Sequence, residues 1–562
     1  MGRPVRFLFV HAWQGFSLAE WSLREALTAG VRCTPAEFHA VDLWRDPSPL
    51  GDLLPRTVAA LQPDLVGFTC HAWSLSRMLE CARCVKDVEP QARVVLGGPQ
   101  VSDPRSAEAV LRAAPAVDFV VRGQGEGPLA RLVEAIREGR PPDDVPSLSW
   151  RDGTRVVHAP VDQDPWRRGP IFHAGNPLAL SLEHALQASY ETTRGCRGAC
   201  TYCAYRTTPR GELDLGLVKD ELAFLTAMRI QHLRICDAEF GGTRERAKDI
   251  LRHLSRVNAE TSVKVHPVLA HVDGEYVDLL RAAGAVPTSI GVQSTNPGAL
   301  AAVRRGSALR REEAVERLLR AFPGTPADVI VGLPGDGVTG LARTLREVLD
   351  AGFSAVNLYR LVAFPGTTMA EDVSASLGGG PVTHSGQGLI LTSASFPRSV
   401  LRDVALLTAA AEVAAPLVLT RRAITPRRPG SALLDVAHRI PAADLLVLQG
   451  AMSSFRPAQL LARTTLLAAV ARDLAGPEAG IEALAQDVAE ILLRQAKAEG
   501  RRSFTWSDPG GWVREVDQVA LPARGGIVLD LAEGRLRPGI ATGERVLAMA
   551  ADLSPVSTEA TA

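Results

Sequence analysis

Residues 189–203 read Ser-Tyr-Glu-Thr-Thr-Arg-Gly-Cys-Arg-Gly-Ala-Cys-Thr-Tyr-Cys, which places three of the chain's 8 cysteines, Cys196, Cys200 and Cys203, on one short loop. A second series of strand-like runs begins at about Ser189, so the loop follows directly on its first strand. Three thiolates can hold three irons of a cubane cluster and leave the fourth iron open to a small chelating molecule, an arrangement suited to chemistry rather than electron storage. Zinc is the competing reading, because Cys₃His sites are common and tetrahedral, but His173 and His184 lie upstream at no recognised zinc spacing. Cys81 and Cys84, one helical turn apart, are read as core packing, since no second ligand pair accompanies them.

Outward from the loop, strand-like runs recur at 232–236, 263–268, 289–292, 327–331 and 355–361, separated by amphipathic segments at 215–227 and 311–321. That count implies a partial or complete (β/α) barrel over 185–398. Upstream, apolar runs at 6–10, 65–69, 94–96 and 119–121 alternate with helical-period segments, the pattern of a doubly wound, Rossmann-like α/β domain over 1–140. Three of these runs end in turns rich in small residues: Gly67-Phe68-Thr69-Cys70-His71, Gly97-Gly98-Pro99 and Gly123-Gln124-Gly125-Glu126. In an open parallel sheet such carboxyl-end turns line the ligand crevice. The Pro- and Asp-rich stretch 141–184 reads as a linker with one hairpin near 147–157. Beyond 399 the composition turns to Ala, Leu and Arg with helical spacing, giving a mainly helical third domain over 399–562 with a small β tail near 525–538. Arg421, Arg422, Arg427 and Arg428 are read as a solvated basic face of it.

Composition bounds the partners. With 62 Lys+Arg against 62 Asp+Glu the formal charge is zero, so no field of one sign draws in nucleic acid or anionic lipid. The most weakly charged stretch, 405–419, is interrupted by Glu412 and is short of the roughly 20 apolar residues a spanning helix needs. The opening Met-Gly-Arg-Pro-Val-Arg lacks the apolar core and cleavage site of a signal peptide and reads as the approach to a first strand. A cytoplasmic location is expected, with neither membrane nor nucleic acid as partner.

The C-x-x-x-C-x-aromatic-C spacing and its lead-in Glu191-Thr-Thr-Arg-Gly-Cys196 resemble the radical S-adenosylmethionine (SAM) superfamily. The resemblance implies that Cys196, Cys200 and Cys203 bind a [4Fe-4S] cluster and that Tyr202 lies beside the SAM adenine. It further implies SAM contacts from Asp237 and Glu239, from Gln293 and Ser294, and from Gly332 and Pro334. The strand end at Ile235-Cys-Asp237-Ala-Glu239 departs from that family's Gly-Gly-Glu form. The N-terminal domain looks like the cobalamin-binding domain of the class B enzymes, which implies corrin contacts from Thr69, Cys70, His71, Gly97, Gly98, Gly123, Gly125 and Glu126. No D-x-H-x-x-G cobalt-ligand motif is present. Together these resemblances imply a cobalamin-dependent radical SAM methyltransferase, with methylcobalamin as methyl carrier, acting on a carbon of a small molecule, a natural product or an amino acid. The tryptophan 2-C-methyltransferase type has a similar length and layout. Tyr359 and Tyr205, near strand or loop ends, are the candidate catalytic residues. An electron donor such as flavodoxin or ferredoxin is implied as partner. Two other outcomes are weighed: a cobalamin-dependent rearrangement such as ring contraction, and a non-catalytic cofactor-binding regulator, which would have no need of a three-thiolate loop.

Overall fold

The computed structural model describes residues 3–12, 16–28, 36–43, 52–162, 168–379, 382–384, 388–414 and 434, together with short strands at 504–507, 513–516, 527–530 and 535–538. Five parallel strands, β1 (Arg6–His11), β2 (Glu37–Asp42), β3 (Leu65–Thr69), β4 (Arg93–Gly97) and β5 (Phe119–Val121), form the first sheet in the order β2-β1-β3-β4-β5. Alternate residues of β1 feed two different cores. Leu8 and Val10 pack with Val66, Met78 and Val94 on one face, and Phe7 and Phe9 with Leu27, Val95 and Leu132 on the other. Helices thus cover both faces, as an all-parallel array of Val, Leu and Phe requires.

The hairpin expected inside the linker is present as β6 (Leu148–Asp152) and β7 (Arg155–His158), but it is no linker feature. It adds antiparallel to β5 and extends the first sheet to seven strands. After it, Arg168 returns the chain to the second domain through a buried ion pair with Glu221, each side chain 1% exposed. Glu221 also accepts from the Ile171 and Phe172 amides at 2.6 and 3.0 Å and from the Tyr190 hydroxyl at 2.8 Å, so the buried carboxylate is fully bonded.

The second domain opens with β8 (Gln187–Tyr190). A short hairpin follows, β9 (Thr193–Arg194) with β10 (Gly211–Glu212), and then come β11 (His232–Ile235), β12 (Ser262–Val265), β13 (Ala285–Pro287), β14 (Ile290–Gln293), β15 (Ala327–Val331) and β16 (Val356–Arg360). Parallel pairing gives β8-β11-β12-β13 and β14-β15-β16, with only Thr288 and Ser289 between β13 and β14, so the strands form a curved, open barrel. Its outer side buries Leu233, Ile235, Val263, Val265 and Val329 against helices that include Leu215–Ala227 and Glu312–Ala321. In the C-terminal region, two short antiparallel pairs join 504–507 to 513–516 and 527–530 to 535–538. The expected helical region beyond Ala414, with Arg421, Arg422, Arg427 and Arg428, lies outside the described residues.

Gly98 shows why the turn after β4 needs glycine. Its φ is +106°, and a Cβ there would stand 2.7 Å from the Cys70 carbonyl oxygen and 2.9 Å from its nitrogen. Gly98→Ala is expected to cost about 1–3 kcal/mol, read as a lower urea midpoint, and to weaken corrin retention. An unchanged midpoint would show that the two turns are not packed as described.

Candidate functional site: a three-thiol loop facing the ends of a parallel sheet

The cysteine loop is held at its base by a buried carboxylate. Asp237, after β11, accepts from the Thr192 and Thr193 amides at 2.7 and 3.1 Å, from the Thr192 hydroxyl, and from the Gly241 amide at 3.0 Å. The β9–β10 hairpin closes the loop, and Gly195 (φ +78°) lies where a Cβ would meet the Thr208 carbonyl at 2.9 Å. The thiols of Cys196, Cys200 and Cys203 are unpaired and half-buried. Two of them flank a small cradle. A Cβ on Gly198 would stand 3.2 Å from Cys196 Sγ and 3.9 Å from Cys200 Sγ, and the Gly198 amide donates to Cys196 Sγ at 3.2 Å. Arg305 donates to Cys200 Sγ at 3.5 Å and to the Gly291 carbonyl at 2.6 Å, tying the loop to the end of β14. Among the described residues no three His, Cys, Asp or Glu side chains, the three cysteines included, are gathered closely enough to hold a single metal ion.

The carboxyl ends of the two sheets face each other. Arg194, two residues before Cys196, donates to Glu126 at 3.0 and 3.2 Å and to Glu191 at 2.9 to 3.3 Å. Glu126 opens the helix after β5, so this pair joins the loop after β8 to the loop after β5. Gln124 Nε2 reaches the Pro209 carbonyl at 3.3 Å, and Ser102, after β4, reaches the Pro365 carbonyl, after β16, at 3.5 Å. Two loop pairs therefore hold the turns of one sheet against the other: the turn after β5 meets the thiol loop through two contacts, and the turn after β4 meets the loop after β16 through one.

Residues 28–133 match the family model of the B12 binding domain, and residues 190–348 match that of the radical SAM superfamily. The chain carries a B12-binding domain joined to a radical SAM domain. The architecture resembles the radical S-adenosylmethionine methyltransferase TsrM of Kitasatospora setae, solved with cobalamin and a [4Fe-4S] cluster (TM-score 0.56, 21% identity, 71% of this chain and 80% of that one). It also resembles the cobalamin-dependent S-adenosylmethionine radical enzyme OxsB (TM-score 0.58, 14% identity, 88% of this chain and 80% of that one). In sequence, the chain is 26% identical over 325 residues to the 2-(S-pantetheinyl)-carbapenam-3-carboxylate methyltransferase of Streptantibioticus cattleyicolor, covering 52% of this chain and 45% of that protein. It is likewise 26% identical over 340 residues to the cobalamin-dependent radical SAM methyltransferase TokK of Streptomyces tokunonensis, covering 54% and 48%. The chain thus spans about half the length of these two relatives.

A radical SAM domain uses a [4Fe-4S] cluster and SAM, and a B12-binding domain takes cobalamin; the residues present fit all three. The cluster fits the soft donor set and the cradle at Gly198. For the corrin, Gly123 (φ +77°) has nothing within 4 Å of where a Cβ would stand, and Gly97 meets only the Val121 carbonyl at 3.9 Å, so the turns leave the space above the strand ends free of side chains. His71 stacks on Trp73 with ring centroids 4.7 Å apart, and burial pushes its imidazole down to about 4, so the ring is neutral. Thr69 and Gly125 are partly exposed in the same turns. Cys70 corrects the sequence reading: its side chain is fully buried in the core below the turn, and burial pushes its thiol up. Its backbone is buried as well, and its amide donates to the Gly97 carbonyl at 2.7 Å. Glu126 meets Arg194 across the domain interface. Cys81 is packed in the core as expected, with Cys84 half-buried beside it.

On the SAM side, Tyr202 packs with Val303, Ile330, Leu333 and Met369, next to the Gly332–Pro334 turn, where Gly332 has a φ of +108°. Gln293 ends β14 at a φ of +65°, in the left-handed region that Gln62, Ser147, His184, Arg229 and Arg304 also occupy. Two expectations are corrected here. Asp237 is 1% exposed with its oxygens spent on the loop, and Ser294 is fully buried, accepting from the Asn296 amide at 3.0 Å beside Thr344. Both support the site from below, and neither faces a ligand. Glu239 does stand at the loop, accepting from the Arg197 amide at 3.1 Å.

Arg305 escaped the sequence reading because nothing in Val303-Arg304-Arg305 marks it; only the fold brings it to Cys200. A hydrogen bond to a ligand sulfur raises a cluster's reduction potential. Arg305→Met is therefore expected to assemble a cluster whose midpoint, read by EPR-monitored titration, lies below that of the parent. An unchanged midpoint would remove Arg305 from the cluster's surroundings.

Tyr205, in the turn just after Cys203, and Tyr359, on β16, are 50% and 53% exposed. Burial pushes Tyr205 up to about 12, with Cys236 and Glu191 adding to it, and burial and Asp328 push Tyr359 up. Both phenols rest protonated near neutral pH and are hydrogen-bond or proton donors rather than resting bases.

Proposed function

We propose that the chain transfers a methyl group from SAM, by way of cobalamin, to a carbon of a small molecule held in the barrel lumen. The observation that carries this reading is the apposition of the three-thiol loop and the glycine turns, locked by Arg194 between Glu126 and Glu191. When bound, the cluster supplies an electron that cleaves SAM and the corrin carries the methyl group. The protein's part is placement. Asp237 fixes the lead-in to the loop, Arg305 and the Gly198 amide donate to two of the sulfurs, and Gly98 locks the β3 and β4 turns. Tyr202, Gln293, Gly332 and Pro334 are the contacts for SAM, with Glu239 at the loop. Thr69, His71, Gly97, Gly98, Gly123 and Gly125 are the contacts for the corrin, and Tyr205 and Tyr359 donate hydrogen bonds or protons to the substrate.

The methyltransferase names of the two relatives support the reaction class. The substrate is read as a natural product or an amino acid. Tryptophan is the substrate in one TsrM structure, but no residue described here singles it out. Electrons are expected from a small carrier such as flavodoxin or ferredoxin. Among the described residues no helix is long and apolar enough to cross a membrane, and the unpaired thiols fit a reducing, cytoplasmic setting.

The test is anaerobic incubation of reconstituted protein with methyl-labelled SAM and reductant. Label on cobalamin with matching S-adenosylhomocysteine supports methyl transfer. Formation of 5′-deoxyadenosine with no methyl on the corrin would instead support a rearrangement such as ring contraction.

A further inference from the structure

The lumen of the barrel carries a charge pattern that the cluster, SAM and cobalamin do not use. Arg234 on β11 is the register partner of Lys264 on β12, and on its other side of Ser189 on β8. The flanking residues Leu233, Ile235, Val263 and Val265 are buried in the outer core. Strand alternation therefore turns Arg234 and Lys264 to the inner face, where both are exposed. Across the lumen Asp328 on β15 is the register partner of Asn357 on β16. Asp328 accepts from Asn357 at 2.8 Å and from the Ser289 hydroxyl at 2.6 Å. Neither cation has such a partner: among the described residues no carboxylate pairs with Arg234 or Lys264.

The two walls look onto one space. Burial lowers His266, with Arg234 adding to the effect and Asp328 opposing it, while burial and Asp328 raise Tyr359 and Arg234 opposes them. A histidine and a tyrosine on different strands thus feel both charges. Like charges side by side on neighbouring strands repel, and a fold that keeps them unpaired on a concave wall is built to receive an anion. Arg234 and Lys264 are each the last-but-one residue of a four-residue strand, so each stands about 3 Å below the strand end in an extended chain, on the wall beneath the loop that holds the cysteines.

The geometry points to Arg234 and Lys264 as the seat of an anionic group of the substrate, a carboxylate or a phosphate, on one wall of the lumen, with Asp328 receiving a hydrogen-bond donor of the same molecule on the opposite wall. The assignment rests on the reading that the lumen holds the methyl acceptor. It orients that molecule, because an anion fixed on one wall and a donor held by Asp328 on the other decide which part is left to face the thiol loop and the corrin.

Lys264 itself reports occupancy. The full chain, loaded with cluster and cobalamin, is treated with limiting acetic anhydride, and acetylation of Lys264 and of Lys219, on an outer helix, is followed by peptide mass spectrometry. Inorganic phosphate and glutarate are the two probes. Saturable slowing at Lys264 with Lys219 unchanged is expected; the stronger probe tells whether the natural group is a phosphate or a carboxylate. In Arg234→Gln the half-protecting concentration is expected to rise about tenfold, with cluster and corrin absorption retained as evidence of folding. No saturable protection by either probe overturns the assignment, as does equal protection of Lys219 or protection that persists unchanged in Arg234→Gln. Protection by SAM alone also overturns it, because the pair would then belong to the cofactor. Failure of the wider reading shows separately: a preparation that protects Lys264 but leaves SAM intact contradicts methyl transfer and not the anion seat.

Discussion

Cys200→Ala is expected to lose the cluster and, with it, all SAM consumption, leaving turnover at background. Alanine removes one of only three thiolates on the loop and leaves one iron without a protein ligand. The Arg305 donor and the Gly198 cradle cannot compensate, because neither supplies a lone pair to iron. The rest of the protein has little reason to change. Cys200 is half-buried and is not part of the apolar core, and a substitution of that kind costs within about 1 kcal/mol of folding stability. The variant should therefore keep its secondary structure and its corrin while its iron and sulfide fall to trace levels. A Cys200→Ala protein with the full visible cluster spectrum would show that the loop is not the cluster site.

Arg194→Gln is expected to destabilise the chain by about 1–3 kcal/mol, because it leaves two partly buried carboxylates without their shared cation. Glu126 and Glu191 keep 14% and 13% of their side chains exposed, and both would lose their cation. The effect should depend on pH. Burial raises the Glu191 carboxyl above its ordinary value, and Arg194 opposes that rise. A carboxyl whose folded pKa is raised binds its proton more tightly in the folded state, so stability falls as pH climbs from the ordinary carboxyl range to the folded value. Without Arg194 the rise is larger, and acidification should recover part of the loss. Urea unfolding of parent and variant at mildly acidic and mildly alkaline pH reads this directly. A deficit that is small and the same at both would mean that the two domains are not joined through Arg194.

The strands that carry the site could be read from the chain wherever β-branched and aliphatic residues run together. Leu65–Thr69, Phe119–Val121 and Ala327–Val331 fall where the apolar runs place them, and the helix Leu215–Ala227 follows its 3.6-residue pattern. β2 was missed because Glu37-Phe-His-Ala-Val-Asp42 is an edge strand that buries only Phe38 and Val41, too thin a signal to separate from a loop. The hairpin at β6 and β7 was visible, but its pairing with β5 depends on a partner nearly thirty residues upstream in sequence. The cysteine spacing and the glycine turns were legible because their chemistry is local. The groups that position them were not. Arg194 meets Glu126, 68 residues away, and Arg305 meets Cys200, 105 residues away. Polarity also misled at Asp237 and Ser294, which looked like ligand contacts and are buried supports beneath the loops they hold.

The proposed methyl transfer requires one chain to hold a cluster on Cys196, Cys200 and Cys203 opposite a corrin on the turns after β3, β4 and β5. Its most direct test is the iron, sulfide and cobalamin content of the anaerobically reconstituted protein after gel filtration. About four iron, about four sulfide and about one cobalamin are expected to travel with each chain. A chain that retains zinc in place of iron, or a cluster without the corrin, would contradict it.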